Sequence, residues 1–593
     1  MLSLIDAGTL TLSGENTYSG GTTINFGGTL QIGAGGTSGS LGSGGVTDSG
    51  TLTFDRTDSY DGSLSNAIGG LGAVNVNAGT VTLTGVNTYA GATTIGGGAA
   101  LTISGAGSLG SGAAYPGNIS NAGTFTYSSS ASDSFSGVIS GAGGLIQNSG
   151  TLALTGASTY TGNVTVNGGT LLAANGLRGG TRTSGPFGNP TTPGQTVTIN
   201  NGATVELTVG NVFANAGSVY IPSLTFIVNP GGTLETNAAN GNGGGGGDAN
   251  VFGPITLNGG TFTTGNGYSA AFQSAIFLGT ITTGGSSPST INTNATNTSA
   301  NGIMLDDNNF LTTDPGNAIT FNVGQVPGNT GADLTVLVPL INSANGGTGA
   351  LTKTGSGTML LAATNTYGGA TTVSAGTLIV YGALSSTSAV SATNGGILEA
   401  DGLVNNSVSV AVNAGALQGD GSIGGATLVS GTLSPGFSPT FNAQSTGALA
   451  SAGSVSLDSN STFVIRLGLA AGGTDNDTLA LAAGTVTLGN ANLQLSLGGN
   501  LADAPSGTMY DIITDNTSNS DITGQFAQGS TIAVGGYTFD ILYNENATGT
   551  GPGDDVVLDL VPVPEPQTWA MLLGGAAMLM LPLRGRRRSR SKN

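Results

Sequence analysis

Between residues 1 and 560 apolar side chains recur at every second position in short runs. Leu10-Thr-Leu12, Val81-Thr-Leu83 and Leu152-Ala-Leu154 are typical, and glycine-containing corners separate the runs. A period of two puts alternate side chains on one face of a pleated strand. No helical period occurs before Gln567. The pattern predicts an all-β chain of many short strands.

The runs belong to a longer repeat anchored on tyrosine. Leu10-Thr-Leu12-Ser-Gly14-Glu-Asn-Thr-Tyr18-Ser-Gly20-Gly-Thr-Thr-Ile24 returns around Tyr89, Tyr160 and Tyr367. Relative to each tyrosine, positions −8 and −6 are apolar and +6 is β-branched. Position +2 is always glycine: Gly20, Gly91, Gly162 and Gly369. This spells strand, turn, strand, and a glycine at +2 permits a backbone turn that a β-carbon blocks. The tyrosines stand 71, 71 and 207 residues apart. With a coil of roughly 20–25 residues, 71 is about three coils. A parallel β-solenoid fits, with on the order of 23 coils along roughly 110 Å. In such a stack a charge repeated each coil repels itself, whereas Asn and Thr form hydrogen-bonded ladders.

These windows resemble the autotransporter-associated β-strand repeat, with copies near 1–35, 69–110, 140–175 and 347–382. The resemblance implies a long, right-handed, secreted parallel β-helix and says nothing chemical. Residues 1–382 are accordingly assigned to the helix. Between 176 and 346 the repeat blurs; Gly179 to Pro193 and the glycine-rich Asn240–Asn250 run read as loops protruding from the coils. The latter lacks the tandem period of a calcium-binding glycine repeat. Residues 383–560 read as closing coils, with the segment from 421 to 439 resembling those of secreted β-helices, followed by a β-rich cap over 440–560 that covers the open core. The opening residues from Met1 to Gly8 have no basic start, no apolar stretch and no cleavage site of an export signal, and no counterpart cap is read in them. The expectation is therefore a fragment, or a start codon assigned too late.

The last residues are built differently. Pro564-Glu565-Pro566 precedes an uncharged run from Trp569 to Leu583 containing Leu572, Leu573, Leu579 and Leu581. Arg584, Arg586, Arg587, Arg588, Arg590 and Lys592 follow. Proline on both sides keeps Glu565 extended and out of a helix. Fifteen helical residues cover roughly 22 Å, a marginal membrane span of a roughly 30 Å hydrocarbon core unless the arginines snorkel. Basic residues keep that end cytoplasmic and leave the preceding chain outside. The order resembles the PEP-CTERM sorting signal over 561–593. It implies a short transmembrane helix, recognition at Pro564, Glu565 and Pro566, and removal by a membrane transpeptidase of the exosortase type. It further implies a Gram-negative-type envelope and an exopolysaccharide or biofilm setting.

Composition narrows the chemistry. The 593 residues include 108 glycines but no cysteine and no histidine. Ser–His–Asp and Cys–His nucleophiles and most zinc sites are thereby excluded. Apart from Glu565 and the six tail cations, 29 acidic and 5 basic residues leave a net charge near −24, which repels phosphate backbones and argues against nucleic-acid binding. The remaining candidates are the close carboxylates Asp306-Asp307, Asp475 with Asp477, and Asp554-Asp555, together with Arg178, Arg182, Lys353 and Arg466. Neighbouring residues on a strand point to opposite faces, and Asp475 and Asp477 sit in a loop sequence, so the carboxylates read as structural or solvating. The cations are far apart in sequence, although Arg178 and Arg182 share a loop. The expectation is a non-enzymatic structural or adhesive protein without cofactor or metal, exported, anchored by its helix and then released to the surface. The rival is a polysaccharide-binding or polysaccharide-cleaving enzyme of pectin-lyase-like fold, which a carboxylate cluster on one face would favour. An autotransporter passenger requires a C-terminal barrel ending in an aromatic residue, whereas this chain ends in Asn593. The four tyrosines could also line up as an aromatic strip for sugars, although packing at corners fits them better.

Overall fold

The computed structural model describes the chain except residues 65–66, 113, 177–182, 214–222, 238–248, 267–272, 297–300, 306–317, 343–347, 406, 439–444, 516–521, 546–554 and 562–593. Two compact units are present, Met1–Thr432 and Leu433 onward.

In the first unit the chain winds in coils of three short strands, for example Ile119–Asn121, Thr124–Ser129 and Ser132–Phe135. Every strand pairs in parallel with its equivalent one coil away, which builds three walls. One wall stacks Val81, Leu101, Phe125, Leu145, Val164, Val197, Phe226, Ile255 and Ile281 in direct register. All are buried, whereas the residues between them along each strand are partly exposed. The alternation read in the sequence is thus the inside and outside of a solenoid. Burying each Val, Leu or Ile side chain contributes about 1.5–3 kcal/mol, repeated at every coil.

Coil length varies more than the sequence suggests. Partners in that wall are 19 residues apart at Leu145 and Val164, but 40 apart at Ile281 and Phe321. The strands stay in register while the corners absorb the extra residues, so the blurred middle is still solenoid. The Gly179 to Pro193 loop corrects one expectation where it is described. It does not simply protrude: Gly185 pairs with Ser158, and Phe187 turns into the core against Phe213 and Phe226. The Asn240–Asn250 run is described only at its end, where Ala249 and Asn250 are buried and Asn250 opens the strand Asn250–Phe252.

Polar stacking also follows the expected principle. Asn258, Asn229, Asn200 and Asn167 each donate an amide Nδ2–H to the Oδ1 of the asparagine one coil before, ending on Asn148, at 2.7–3.2 Å. Asn148 in turn donates to Ser128 Oγ. Asparagine suits this position because one amide both donates and accepts along the stack.

The second unit contains parallel pairs such as Thr462–Leu467 with Asn492–Leu497. It ends in an antiparallel meander in which Met509–Asp515, Asp555–Leu560, Tyr537–Glu545 and Thr531–Val534 lie side by side. A two-residue Gly535-Gly536 turn, both at positive φ, closes its hairpin. Among the described residues no helix is long and apolar enough to cross a membrane. The expected tail helix from Trp569 to Leu583, with Leu572, Leu573, Leu579 and Leu581, lies outside the described residues, as do Pro564, Glu565, Pro566 and the basic cluster Arg584 to Lys592.

Candidate functional site

The tyrosine repeat acquires a mechanism in three dimensions. Tyr89, Tyr160 and Tyr367 are buried, and Tyr18 is half-buried. The hydroxyls of Tyr18, Tyr89 and Tyr367 each bond to the threonine four residues on, Thr22, Thr93 or Thr371, at 2.6–2.8 Å. In the third copy Val164 occupies that position, and Tyr160 donates instead to the Pro186 carbonyl at 3.0 Å. Burial holds the Tyr89 hydroxyl well above its usual pKa, with Tyr115 beside it adding to the shift.

Two positions before the tyrosine, Asn365 ties three successive coils. Its Oδ1 accepts the Leu340 N–H at 3.0 Å, and its Nδ2 donates to the carbonyls of Ala363 and Ala383. Asn87 does the same between Ile68, Gly85 and Ser108. Neither the threonine at +4 nor the asparagine at −2 was singled out in the sequence, although Asn-Thr-Tyr recurs in three copies and the signal was there. Replacing Asn365 with alanine leaves a buried N–H and carbonyls unpaired, and is expected to cost about 2–3 kcal/mol in urea denaturation.

The glycine at +2 serves a different purpose from the expected one. Gly20, Gly91, Gly162 and Gly369 have no positive φ. A β-carbon at Gly91, Gly162 or Gly369 would instead run into the coil before it, on the carbonyls of Gly72, Gly143 and Gly349 respectively, and at Gly20 into the Met1 backbone.

The repeat is also out of phase with the coil. Leu10, Leu30, Leu52 and Val74 stack in one wall, and Val81 stands in the next wall of that last coil. Val81 leads through Leu101 and Phe125 to Leu145, and Leu152 again stands one wall further on. Seventy-one residues are therefore three coils plus one wall, not the three coils expected. The longer interval covers seven coils, from Leu152 through Leu171, Val205, Leu234, Phe262, Ile291 and Val336 to Leu361. The first three tyrosines thus follow three different walls and form no common strip.

The candidate ionisable groups do not converge. Asp477 is buried against Arg466, with Nε and Nη2 donating to its two carboxylate oxygens at 2.7 and 2.8 Å, and Arg466 lies over Phe437 at 4.6 Å. Asp475 instead accepts the Ala470 N–H within its loop and the hydroxyl of Thr446, 29 residues earlier. Asp555 is buried and accepts the Asp515 N–H. Lys353 points into the core between Phe321 and Val373, where its ammonium donates to the carbonyls of Thr354, Gly355 and Ala375. Burial pushes its pKa down to about 8, against the pull of Asp333. Asp306, Asp307, Asp554, Arg178 and Arg182 lie outside the described residues. One pair was not foreseen: Glu206 and Glu235 are direct partners in adjacent coils on an outward face. Burial, and secondarily Glu235, raise the pKa of Glu206, while Asn294 donates to Glu235 Oε1. Among the described residues no group of three or more acidic side chains could hold a metal.

Comparison with known proteins supplies the remaining findings. No curated protein sequence matches the chain. Among solved structures, the Haemophilus influenzae Hap adhesin superimposes over 94% of this chain and 64% of its own, with a TM-score of 0.34 and 11% identity. The chain thus spans under two thirds of that protein, and a superposition this loose establishes nothing about activity. The passenger-associated-transport-repeat family model matches residues 5–32, 74–108, 147–173 and 351–380, so the four tyrosine-anchored windows of the solenoid are similar to that repeat.

Proposed function

We propose that the protein is an exported structural or adhesive β-solenoid, displayed at or released from the cell surface after its C-terminal signal is processed. The observation that carries this is the match of four tyrosine-anchored windows to passenger-associated transport repeats, within a continuous parallel stack. Outward rows of threonine and the asparagine ladder give such a stack a polar, hydrated exterior.

In this reading Pro564, Glu565 and Pro566 present an extended site to an exosortase-type transpeptidase, Trp569 to Leu583 anchors the precursor in the membrane, and the arginines hold its end in the cytoplasm. Exopolysaccharide or other surface components are the proposed surroundings. The protein is read as a non-enzyme whose parallel stack presents surface rather than a reaction centre.

Mass spectrometry of the exported protein tests the sorting step. The mature C-terminus is expected near Glu565, and Glu565→Ala should leave the tail attached. Exported wild-type protein retaining Lys592-Asn593 would refute processing.

A further inference from the structure

The second unit contains two free strand edges that face each other. Along Asn492–Leu497 the even-numbered residues bond to the neighbouring strand, as Asn492 N–H does to Ser461 and Gly498 N–H to Leu467 just beyond its end. Parallel pairing then turns the N–H and C=O groups of Leu493, Leu495 and Leu497 the other way. At Leu493 the side-chain amide of Gln528 stands in for a strand. Its Oε1 accepts the Leu493 N–H at 3.0 Å, and its Nε2 donates to the Leu493 carbonyl at 2.9 Å and to Asn492 Oδ1 at 2.7 Å. Among the described residues, Leu495 and Leu497 have no strand partner on that side.

Opposite them runs Thr531–Val534, paired among the described residues only with Tyr537–Glu545. The Ile541 N–H to Ser530 carbonyl bond fixes which of its residues pair inward. The main-chain groups of Thr531 and Ala533 therefore face outward. Its two ends lie beside Leu493, through Gln528, and beside Leu497, through Gly535, so the two edges run in the same direction. Among the described residues, main-chain bonds join the two segments only before Leu493, as Ala527 N–H to the Ala491 carbonyl. The Gln528 side chain then bridges them, and among the described residues no ladder joins Thr531–Val534 to Asn492–Leu497. Between them is a groove of about 430 Å³ lined by Leu493, Leu495, Gln528, Thr531, Ala533 and their neighbours.

We propose that this groove takes one extended polypeptide strand, completing the sheet between Leu495 and Ala533 by main-chain hydrogen bonds. Unpaired donors and acceptors on both banks select a peptide backbone, which alone offers both at the strand period. Charge selects its composition. The charged side chains on the bounding hairpin are carboxylates, half-buried Asp540 and exposed Glu545, and Arg466 on the strand behind Asn492–Leu497 is buried against Asp477. The occupant is thus a neutral or basic segment of another protein, not an acidic one. The inference is independent of how the protein is exported.

The test uses the full chain and a fluorescein-labelled octapeptide of alternating valine and threonine with lysine at each end. Saturable binding in fluorescence anisotropy is expected. It should fall at least tenfold for the same peptide with alternate amides N-methylated, and at least tenfold for Ala533→Pro, whose lost N–H points away from the hairpin partner. The N-methylated peptide leaves the protein untouched, so the result does not depend on that variant folding. Absence of binding, or equal affinity for the N-methylated peptide, would overturn the proposal.

Discussion

Replacing Gly91 by alanine should destabilise the solenoid by about 3 kcal/mol, an effect otherwise typical of a large core truncation. The cause is axial crowding. A β-carbon there would fall on the Gly72 carbonyl oxygen, with Leu71 O at 2.7 Å, and these are backbone atoms of the coil before it. They cannot rotate aside as a side chain can; relief requires prising two coils apart and stretching their ladder bonds. Gly97 is the control: it has no positive φ, and nothing lies within 4 Å of its ideal β-carbon. Gly97→Ala should be neutral, or stabilise by up to ~1 kcal/mol through the unfolded state. Urea denaturation of both variants decides the matter. A loss below ~1 kcal/mol for Gly91→Ala would show that coil spacing does not impose glycine there.

Asp48→Asn should raise stability at pH 7 by about 1–3 kcal/mol, the cost of leaving a buried polar group unpaired. Asn121 shows why. Its Oδ1 accepts the N–H of Gly123 at 3.1 Å, and its Nδ2 donates to the Gly144 carbonyl in the following coil at 2.9 Å. Asp48 occupies the equivalent corner, with Oδ1 accepting the Gly50 N–H at 2.9 Å. The backbone agrees: Gly143 and Gly72 donate to the carbonyls of Asn121 and Asp48, and Gly144 and Ala73 to those of Gly123 and Gly50. Where Asn121 has a donor, Asp48 has a second oxygen, buried and without a partner.

Burial accordingly pushes the Asp48 pKa up to about 6 from 3.8. Between those values the folded state holds a proton that the unfolded state has released. Stability from this group is fully present below pH 4 and is lost as pH rises through 6. The wild-type protein should therefore gain stability on acidification from pH 7 to 4, and Asp48→Asn should remove part of that gain. Asp133, raised to about 6 by its own burial, adds to that gain in the same direction. Thermal melts at pH 4 and 7 measure both; a variant less stable than wild type at pH 7 would contradict the assignment.

Much of the architecture was legible because a solenoid writes its geometry into the chain. Val81 and Leu83 face inward because strands alternate, and Leu10, Val81 and Leu152 announced equivalent strands. Sequence period does not reveal coil period, however. Tyr18, Tyr89 and Tyr160 advance one wall per copy, which only the register of Leu10 with Leu30 and Val81 with Leu101 discloses. Gly91 was recognised as necessary but for the wrong reason, since crowding between coils involves residues about twenty positions away. Lys353 stood in the sequence only among the scattered candidate cations; its place in the core follows from its register with Phe321 and from three corner carbonyls that no local pattern specifies. The candidate groove was invisible for a related reason: Leu495 and Ala533 belong to separate strands, and a missing partner leaves no mark in either.

The absence of cysteine allows the stack itself to be tested by cross-linking. Thr82, Thr102 and Thr126 are consecutive outward partners on one wall. Adjacent coils place Cα atoms about 4.8 Å apart, within disulfide range, and alternate coils about twice that. Thr82→Cys with Thr102→Cys should oxidise to an intramolecular disulfide in the native protein, and Thr82→Cys with Thr126→Cys should not. A disulfide in the second pair, or none in the first, would contradict a parallel stack of three-walled coils.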